Sequence, residues 1–443
     1  MISLRNFLAS TRAELPQATY ARWASLFFTL SVLTFLISLT ASQAMLGVSA
    51  LFYAIHLLRG RSDIHFPPIK LPLALFCLGT VLSVFNAENP DVGWFAVRKL
   101  VLFTILLLGA NLVTSGKHLD FLFRGLFLES ALAGLVATGQ FAVQYRAVRS
   151  IHPEHIYASM TSDRITGFMG HWMNFGGQQM LVFASLSAFL LLGWCGVADR
   201  TGIRNLGFTI RRSSPFISRP LLGWVVWLIV AVSIVLNFTR GVWLGCFAAG
   251  LYLVARWRPR GLLLVPAIIV VGYFAAPSLV QHRIEVLRHP ESDRALSIRF
   301  EMWHVAGRMM RAHPWLGVGP NNIEQVYVLY LRPGKSPEPG YHSHLHNNFL
   351  QFGAERGLPV LAAWVWMMGA FGWHFWRLRR RLHLRRWIAD AALAGWLALM
   401  VEGCFEFNFG TSPVLMVFLF VSATPLAAER LELATASPSK AES

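Results

Sequence analysis

Charge is what this sequence lacks first. Of its 443 residues only 14% are Asp, Glu, Lys or Arg, against about 25% in a soluble domain. Acidic side chains are the scarcer half, 22 against 39 lysines and arginines. A soluble globule is excluded: 55% of the residues are hydrophobic and the mean hydropathy is +0.49. Apolar runs recur along the whole length, many near the ~20 residues that cross a bilayer. Cysteine is sparse as well. Cys77, Cys195, Cys246 and Cys404 all lie in apolar segments. None has the spacing of a zinc site or a CxxC motif, so all four are expected to be packing residues. No sequence repeat of roughly 20–50 residues is present. No cleavable signal peptide is expected, because the first apolar run, near Arg22 to Thr40, is long enough to remain as a span.

The fold class implied is an all-α polytopic membrane protein. Twelve spans are predicted, centred near residues 31, 50, 77, 104, 132, 185, 229, 248, 269, 367, 396 and 418. The net charge of +17 would suggest nucleic acid on a soluble protein. Here the arginines gather in short loops between spans, which is the signature of membrane topology, with anionic lipid or phosphate-bearing substrates as a second possibility. Arg59, Arg61 and Lys70 mark one such loop, Arg200, Arg204, Arg211, Arg212 and Arg219 another. Arg256, Arg258 and Arg260 mark a third, and residues 377–386 hold six arginines. The alternate loops 86–93 and 406–410 have no Lys or Arg. Both termini are therefore expected to be cytoplasmic. Arg146, Arg149 and Arg164 fall on the outer side, in a loop long enough to be largely exempt. The expected divisions are residues 1–277 with nine spans, an outward loop region at 278–357, three further spans over 358–428, and a disordered tail at 429–443. Within the loop region, Leu296, Phe300, Trp303, Gly307 and Met310 repeat at helical spacing. They predict an amphipathic helix lying on the outer interface. Glu129 is an isolated acid inside a span and is expected to pair with a basic neighbour.

Four stretches carry polar chemistry. In "LNFTRGVWLG", residues 236–245, Arg240 stands between two apolar runs with almost no loop. It is either a snorkelling side chain or an anion clamp, since a guanidinium grips phosphate oxygens with two donors. Arg299 is similarly either a headgroup contact or a second clamp that offsets a leaving pyrophosphate. "RITGFMGHWMNFGGQQ", residues 164–179, is either a tightly packed loop or a polar cavity wall with Arg164, His171 and Asn174. "HSHLHNNFLQFGAERGLP", residues 342–359, admits three readings. His342, His344 and His346 alternate as strand ligands of a metal do, though acidic or sulfur partners are not evident nearby. Asn347 suits a plain helix cap. A neutral imidazole also suits a general base acting on a sugar hydroxyl.

The pair His346-Asn347, nine residues, and then "GLPV" from Gly357 resembles the signature of bacterial O-antigen ligases and polymerases. That signature is His, then Asn, Ser or Gln, nine residues, Gly, two residues, then Gly, Thr or Tyr. This chain departs from it at Val360. "TRG" at 239–241, "SIRFEMW" at 297–303, "HPWLGVGPNN" at 313–322 and "RITGFMGHWMN" at 164–174 also resemble family segments, in the expected order. The resemblance implies a GT-C-like glycosyltransferase architecture in a bacterial inner membrane, with a large helical periplasmic loop before the tenth span. It implies transfer of a finished glycan from an undecaprenyl pyrophosphate donor to lipid A–core, by inversion, without nucleotide or metal. His346, Arg240 and Arg299 would be catalytic, the arginines also holding pyrophosphate. Asn347, Arg164, His171 and Asn174 would contact substrate, membrane lipids would surround the chain, and no nucleic acid partner is expected. His342 and His344 would be loop residues. Alternatives are a polymerase or a protein O-oligosaccharyltransferase of the same superfamily and, more distantly, a lipid or glycan flippase, whose ionisable residues should line the middle of several spans. The topology has a direct check. A cysteine placed at Asn205 should be labelled only from the cytoplasm and one at Ser336 only from outside; outward labelling at 205 reverses the assignment.

Overall fold

The computed structural model describes residues 19–59, 63–194, 220–285, 294–337 and 343–436. Among them the secondary structure is helical, with no strand. In chain order the helices are α1 (Thr19–Val32), α2 (Leu39–Arg59), α3 (Lys70–Val84), α4 (Pro90–Arg98), α5 (Thr104–Leu112), α6 (Gly116–Ile151), α7 (Ile156–Ser162) and α8 (Trp172–Ala188). There follow α9 (Pro220–Leu236), α10 (Arg240–Trp257), α11 (Val265–Ala275), α12 (Ser278–Glu285), α13 (Arg294–Ala312), α14 (Ile323–Val326), α15 (Asn348–Arg381), α16 (Arg386–Glu402) and α17 (Ser412–Ala436). Each of the twelve predicted centres falls inside a helix. Six of the described apolar segments are long enough to cross a membrane: Leu39–Arg59, Pro90–Leu112, Gly116–Ile151, Trp172–Gly193, Asn348–Arg381 and Ser412–Ala434. Lys70–Val84, Leu221–Leu236 and Pro259–Ala275 are apolar but shorter.

Local chemistry sets the breaks. Asn89 caps α4 by accepting from the Asp91 amide, and Pro90 stands at the first helical position, where a missing N–H is harmless. Ser115 caps α6 through the His118 amide. The first apolar run, read from sequence as one span, is interrupted at Leu33–Ser38 before α2 begins. Glu129 accounts for part of that interruption. Its carboxyl accepts from the Leu36 amide at 3.2 Å, so the partner of this buried acid is a backbone N–H freed by the break rather than the expected basic side chain.

Three hydrophobic clusters form among the described residues, the smallest around Met160, Phe238 and Val280; the other two are the main cores. The larger runs through the bundle and buries Phe28, Phe123, Trp364, Phe371 and Phe418. The smaller lies in the loop region, where Met302, Val305, Ala306 and Met309 of α13 pack with Val318, Ile323, Tyr327, Leu345 and Ala354. The helix predicted at 295–310 is present, but its buried stripe differs. Phe300 is 48% exposed and Trp303 only partly covered, while Met302 and Met309 are fully buried. Burial against α14 and α15 decides the inward face, and Phe300 is left outside it while Trp303 packs at its edge. The tail differs too: α17 continues to Ala436, and Glu429 and Glu432 hold Arg381 and the backbone of residues 383–385. Residues 437–443 lie outside the described residues.

α10, α15 and α16 run between two chemically different ends. Arg256 lies in the last turn of α10 and Arg258 and Arg260 follow it, Arg379–Arg381 close α15, and Arg385 and Arg386 open α16. At the opposite end stand Arg240, the 343–347 segment and Glu402. There the "HPWLGVGPNN" stretch docks on the start of α15 largely through backbone, with the Glu355 carboxyl also accepting from the Asn321 amide. The Val318 amide donates to the Ala354 carbonyl, Gly319 to Glu355 (both 2.9 Å) and Leu358 to Pro314 (2.8 Å). α15 is broken at Gly357, which sits at φ +83°. A Cβ there would lie 2.2 Å from the Trp315 carbonyl oxygen, so both the left-handed backbone and the close approach call for glycine. Gly357→Ala should destabilise the protein by roughly 1–3 kcal/mol, read as a lower thermal unfolding midpoint in detergent; an unchanged midpoint would show that the docking tolerates a side chain.

Candidate active site

The site forms where loops of five elements meet. The turn between α9 and α10 is tight: Phe238 has φ +54°, and the Asn237 amide donates to the carbonyls of Ile165 and Trp172, both at 3.2 Å. This ties the "TRG" turn to the loop before α8. Gly176 allows the approach, since a Cβ there would lie 2.8 Å from Asn237 Oδ1. Arg164 joins the same knot. Its guanidinium donates to the Thr161 carbonyl and to Thr239 Oγ1, and stacks on Trp172 at 5.1 Å.

His346 lies at the start of α15, buried, with a positive φ of 46°. That strained backbone is held by its neighbours, as strain at functional positions usually is. Asn347 is the helix cap: its side-chain oxygen accepts from the Leu350 amide at 3.0 Å and its amide nitrogen donates to the Cys404 carbonyl at 2.8 Å. Both ends of Asn347 are thus spent on protein, an arrangement that positions His346 rather than reaching outward. His346 Nδ1 meets Glu406 Oε2 at 2.7 Å, and the other Glu406 oxygen accepts from Arg299 Nη2. One carboxylate therefore holds both the imidazole and the guanidinium. Burial would push the Glu406 carboxyl up, but the facing His346 and Arg299 outweigh it and hold it below the ordinary carboxylate range. An ionised Glu406 fixes the tautomer with the proton on Nδ1, which leaves the imidazole lone pair on Nε2. His344, whose ring stands 4.4 Å from that of His346, is pushed down to about 4 by burial and by His346 beside it, and is neutral at physiological pH. His171 caps α8, its Nδ1 accepting from the Met173 amide at 3.2 Å. Burial lowers its pKa as well, so a neutral His171 carries its proton on Nε2.

These groups surround a cavity of about 270 Å³. His171, Asn174, His344 and Glu406 line it, together with Lys99, Gln351, Glu402 and Asn408. Of the residues singled out from sequence, His171 and Asn174 reach the cavity directly, while His346 and Arg299 connect to it through Glu406. Arg240 is beside them, because a Cβ on the adjacent Gly241 would meet the Glu402 and Glu406 side chains at 3.3 and 3.7 Å. Arg164 and Asn347 do not line the cavity. His342 lies outside the described residues. Among the described residues, no three His, Cys, Asp or Glu side chains gather as metal ligands. Cys77, Cys246 and Cys404 are free thiols, partly buried, and Cys195 lies outside the described residues.

A family model described as O-antigen ligase matches residues 224–365. Residues 224–365 thus carry the O-antigen ligase family domain. The matched segment contains Arg240, Arg299, His346 and Gly357, and the family is one of glycosyl-transferring enzymes. With the apolar helices, it makes the chain a multi-pass membrane protein. A search of curated proteins found no match.

Sequence reasoning missed Glu406, Glu402 and Asn408. The signal was present in "GCFEFNFGT", residues 403–411, where Glu406 and Asn408 interrupt an apolar segment; it registered only as a loop without Lys or Arg. The pairing of Glu406 makes a prediction with a definite sign. A carboxyl whose folded pKa lies below its usual 4.5 stabilises the protein above that value and loses this contribution as pH falls through the lower folded value. Wild-type thermal stability should therefore drop on acidification below about pH 4.5, and Glu406→Gln should lack that component. The same variant should lower transfer by ~10²-fold or more through the lost tautomer and orientation of His346. Wild-type turnover by Glu406→Gln would remove the carboxylate from the mechanism.

Proposed function

We propose that the protein is an O-antigen ligase, which transfers a finished glycan from undecaprenyl pyrophosphate to a sugar of lipid A–core at the periplasmic face of the inner membrane. The observation that carries this reading is the array of His346, Glu406 and Arg299 beside a cavity at one end of the bundle. Glu406 holds His346 with Nδ1 protonated. Nε2 then takes the proton of an acceptor hydroxyl as its oxygen attacks the anomeric carbon. The bond from that carbon to the pyrophosphate oxygen breaks, and the electron pair leaves with the pyrophosphate. Arg240 and Arg299 meet the charge that develops on it. A single displacement inverts the anomeric centre. His171 and Asn174 face the same cavity and are placed to hydrogen-bond sugar hydroxyls.

The arrangement of charge supports the compartment. The arginine clusters of α10, α15 and α16 all lie at the end away from His346. Since Lys and Arg are retained on the cytoplasmic side, the site belongs to the periplasmic side and the outward loop region is 278–357. A flippase is less well supported, because the ionisable groups that line the cavity gather at one end of the bundle, whereas Glu129 and the Arg379–Asp390 pair are held by protein partners. A polymerase, which adds the same donor to another lipid-linked glycan, shares all the geometry.

Deletion of the gene separates the two. Loss of all O-antigen from lipid A with lipid-linked polymer retained indicates a ligase; single-repeat caps on lipid A indicate a polymerase. In reconstituted membranes His346→Ala should abolish transfer by a folded protein, whereas His344→Ala should keep substantial activity. Arg240→Lys and Arg299→Lys should each fail, since an ammonium does not reproduce the two-pronged grip, and their losses should be non-additive. Near-normal rates in both lysine variants would remove the arginines from pyrophosphate binding.

A further inference from the structure

The Pro90–Leu112 segment is apolar and long enough to span a membrane, yet it is not one regular helix. α4 ends at Arg98, a 3₁₀ turn covers Lys99–Phe103, and α5 begins at Thr104. Lys99 opens that turn and is partly buried. Its ammonium donates to the Gly410 carbonyl at 2.8 Å. The ammonium has three donors, and among the described residues no carboxylate stands within ion-pair distance of it. Glu355 and Arg356, whose fields it feels, face each other at 3.7 Å, and the Glu355 carboxyl further accepts from Gln351 and the Asn321 amide. Glu406 is occupied by His346 and Arg299. Among the described residues Lys99 is thus a partly buried cation in an apolar segment with no carboxylate at ion-pair distance, and such a group marks a ligand path more often than a packing solution.

Lys99 is also the cation that lines the cavity, and Asn174, Asn321, Gln351, Asn408 and Thr411 line it as neutral hydrogen-bonding groups. We infer that Lys99 is a binding residue for a phosphate-type anion held in this cavity. Resting on the function proposed above, that anion is the donor's pyrophosphate. Arg299 approaches the same anion with one nitrogen already engaged by Glu406, so Lys99 supplies charge from the cavity wall itself.

The test uses the full chain in liposomes, with undecaprenyl pyrophosphate as the charged probe and undecaprenol as the neutral one. Lys99→Gln keeps a donor for the Gly410 carbonyl and removes the charge. It should weaken undecaprenyl pyrophosphate binding by about tenfold or more and leave undecaprenol binding unchanged. Lys99→Arg should keep most of the affinity. Lys99→Met, which removes the tether as well, should show the same affinity loss with an added fall in thermal stability. Unchanged pyrophosphate binding in Lys99→Gln overturns the inference. So does equal weakening toward both probes, which would reflect a structural tether, and so does a loss confined to the KM for phosphate-bearing lipid A–core. Charge-selective loss in a protein that transfers no glycan to lipid A–core would sustain the anion site and defeat the ligase reading.

Discussion

A buried carboxylate that must be satisfied from two sides organises this end of the molecule. Glu406 is almost wholly enclosed, and an unpaired charge there would cost several kcal/mol. Its two oxygens take their partners from α13 and from the segment before α15, so chain regions separated by 60 and 107 positions meet at one residue. Because each partner occupies a different oxygen, the imidazole and the guanidinium are held apart at fixed angles instead of competing. The strained backbone of His346 is sustained by the same network, together with the Asn347 cap and its bond to the Cys404 carbonyl. The loop between α16 and α17 therefore supplies the residue that holds His346 and Arg299 although it lies outside the family-matched segment.

The loop region is attached to the membrane bundle in an economical way. It has its own small core around Met302 and Met309, and it joins α15 through backbone hydrogen bonds at residues 314–319 and 354–358. Side chains hold a second junction. Asn322 exchanges hydrogen bonds with the backbone of Asn89, and Asn86 donates to the Gly317 carbonyl. The turn between α3 and α4 is thereby fixed to the loop region, and the same segment then breaks at Lys99. Structural and chemical roles alternate within a few residues along the chain.

Much of the fold was legible because long apolar runs favour helices, and each anticipated centre falls inside one, although the first run and the Pro90–Leu112 segment are broken within. The stripe on α13 was misread for a physical reason: Phe300 and Trp303 dominate a hydrophobicity pattern, whereas tight packing against α15 selects the slimmer Met302, Ala306 and Met309. His346, Arg299 and Arg240 stood out as polar residues at the borders of apolar runs. Glu406 and Lys99 did not, since Glu406 reads as part of a short loop and Lys99 as one of two basic residues in an apolar segment, and their meaning arises only from what folding brings opposite them. Glu129 shows the reverse case, an isolated acid noticed at once whose partner is main chain.

The break at Gly357 gives the nine residues before it, 348–356, the character of a calibrated spacer. They form two and a half turns of helix between the imidazole and the point where the loop region is fastened. Each residue in such a helix sets an advance of about 1.5 Å and a rotation of about 100°. Adding or removing one would swing His346 more than a quarter turn from Glu406 while leaving every side chain of the site in the sequence. What this stretch fixes is a phase angle, in addition to the buried hydrogen bonds that Asn348, Gln351 and Glu355 make from it.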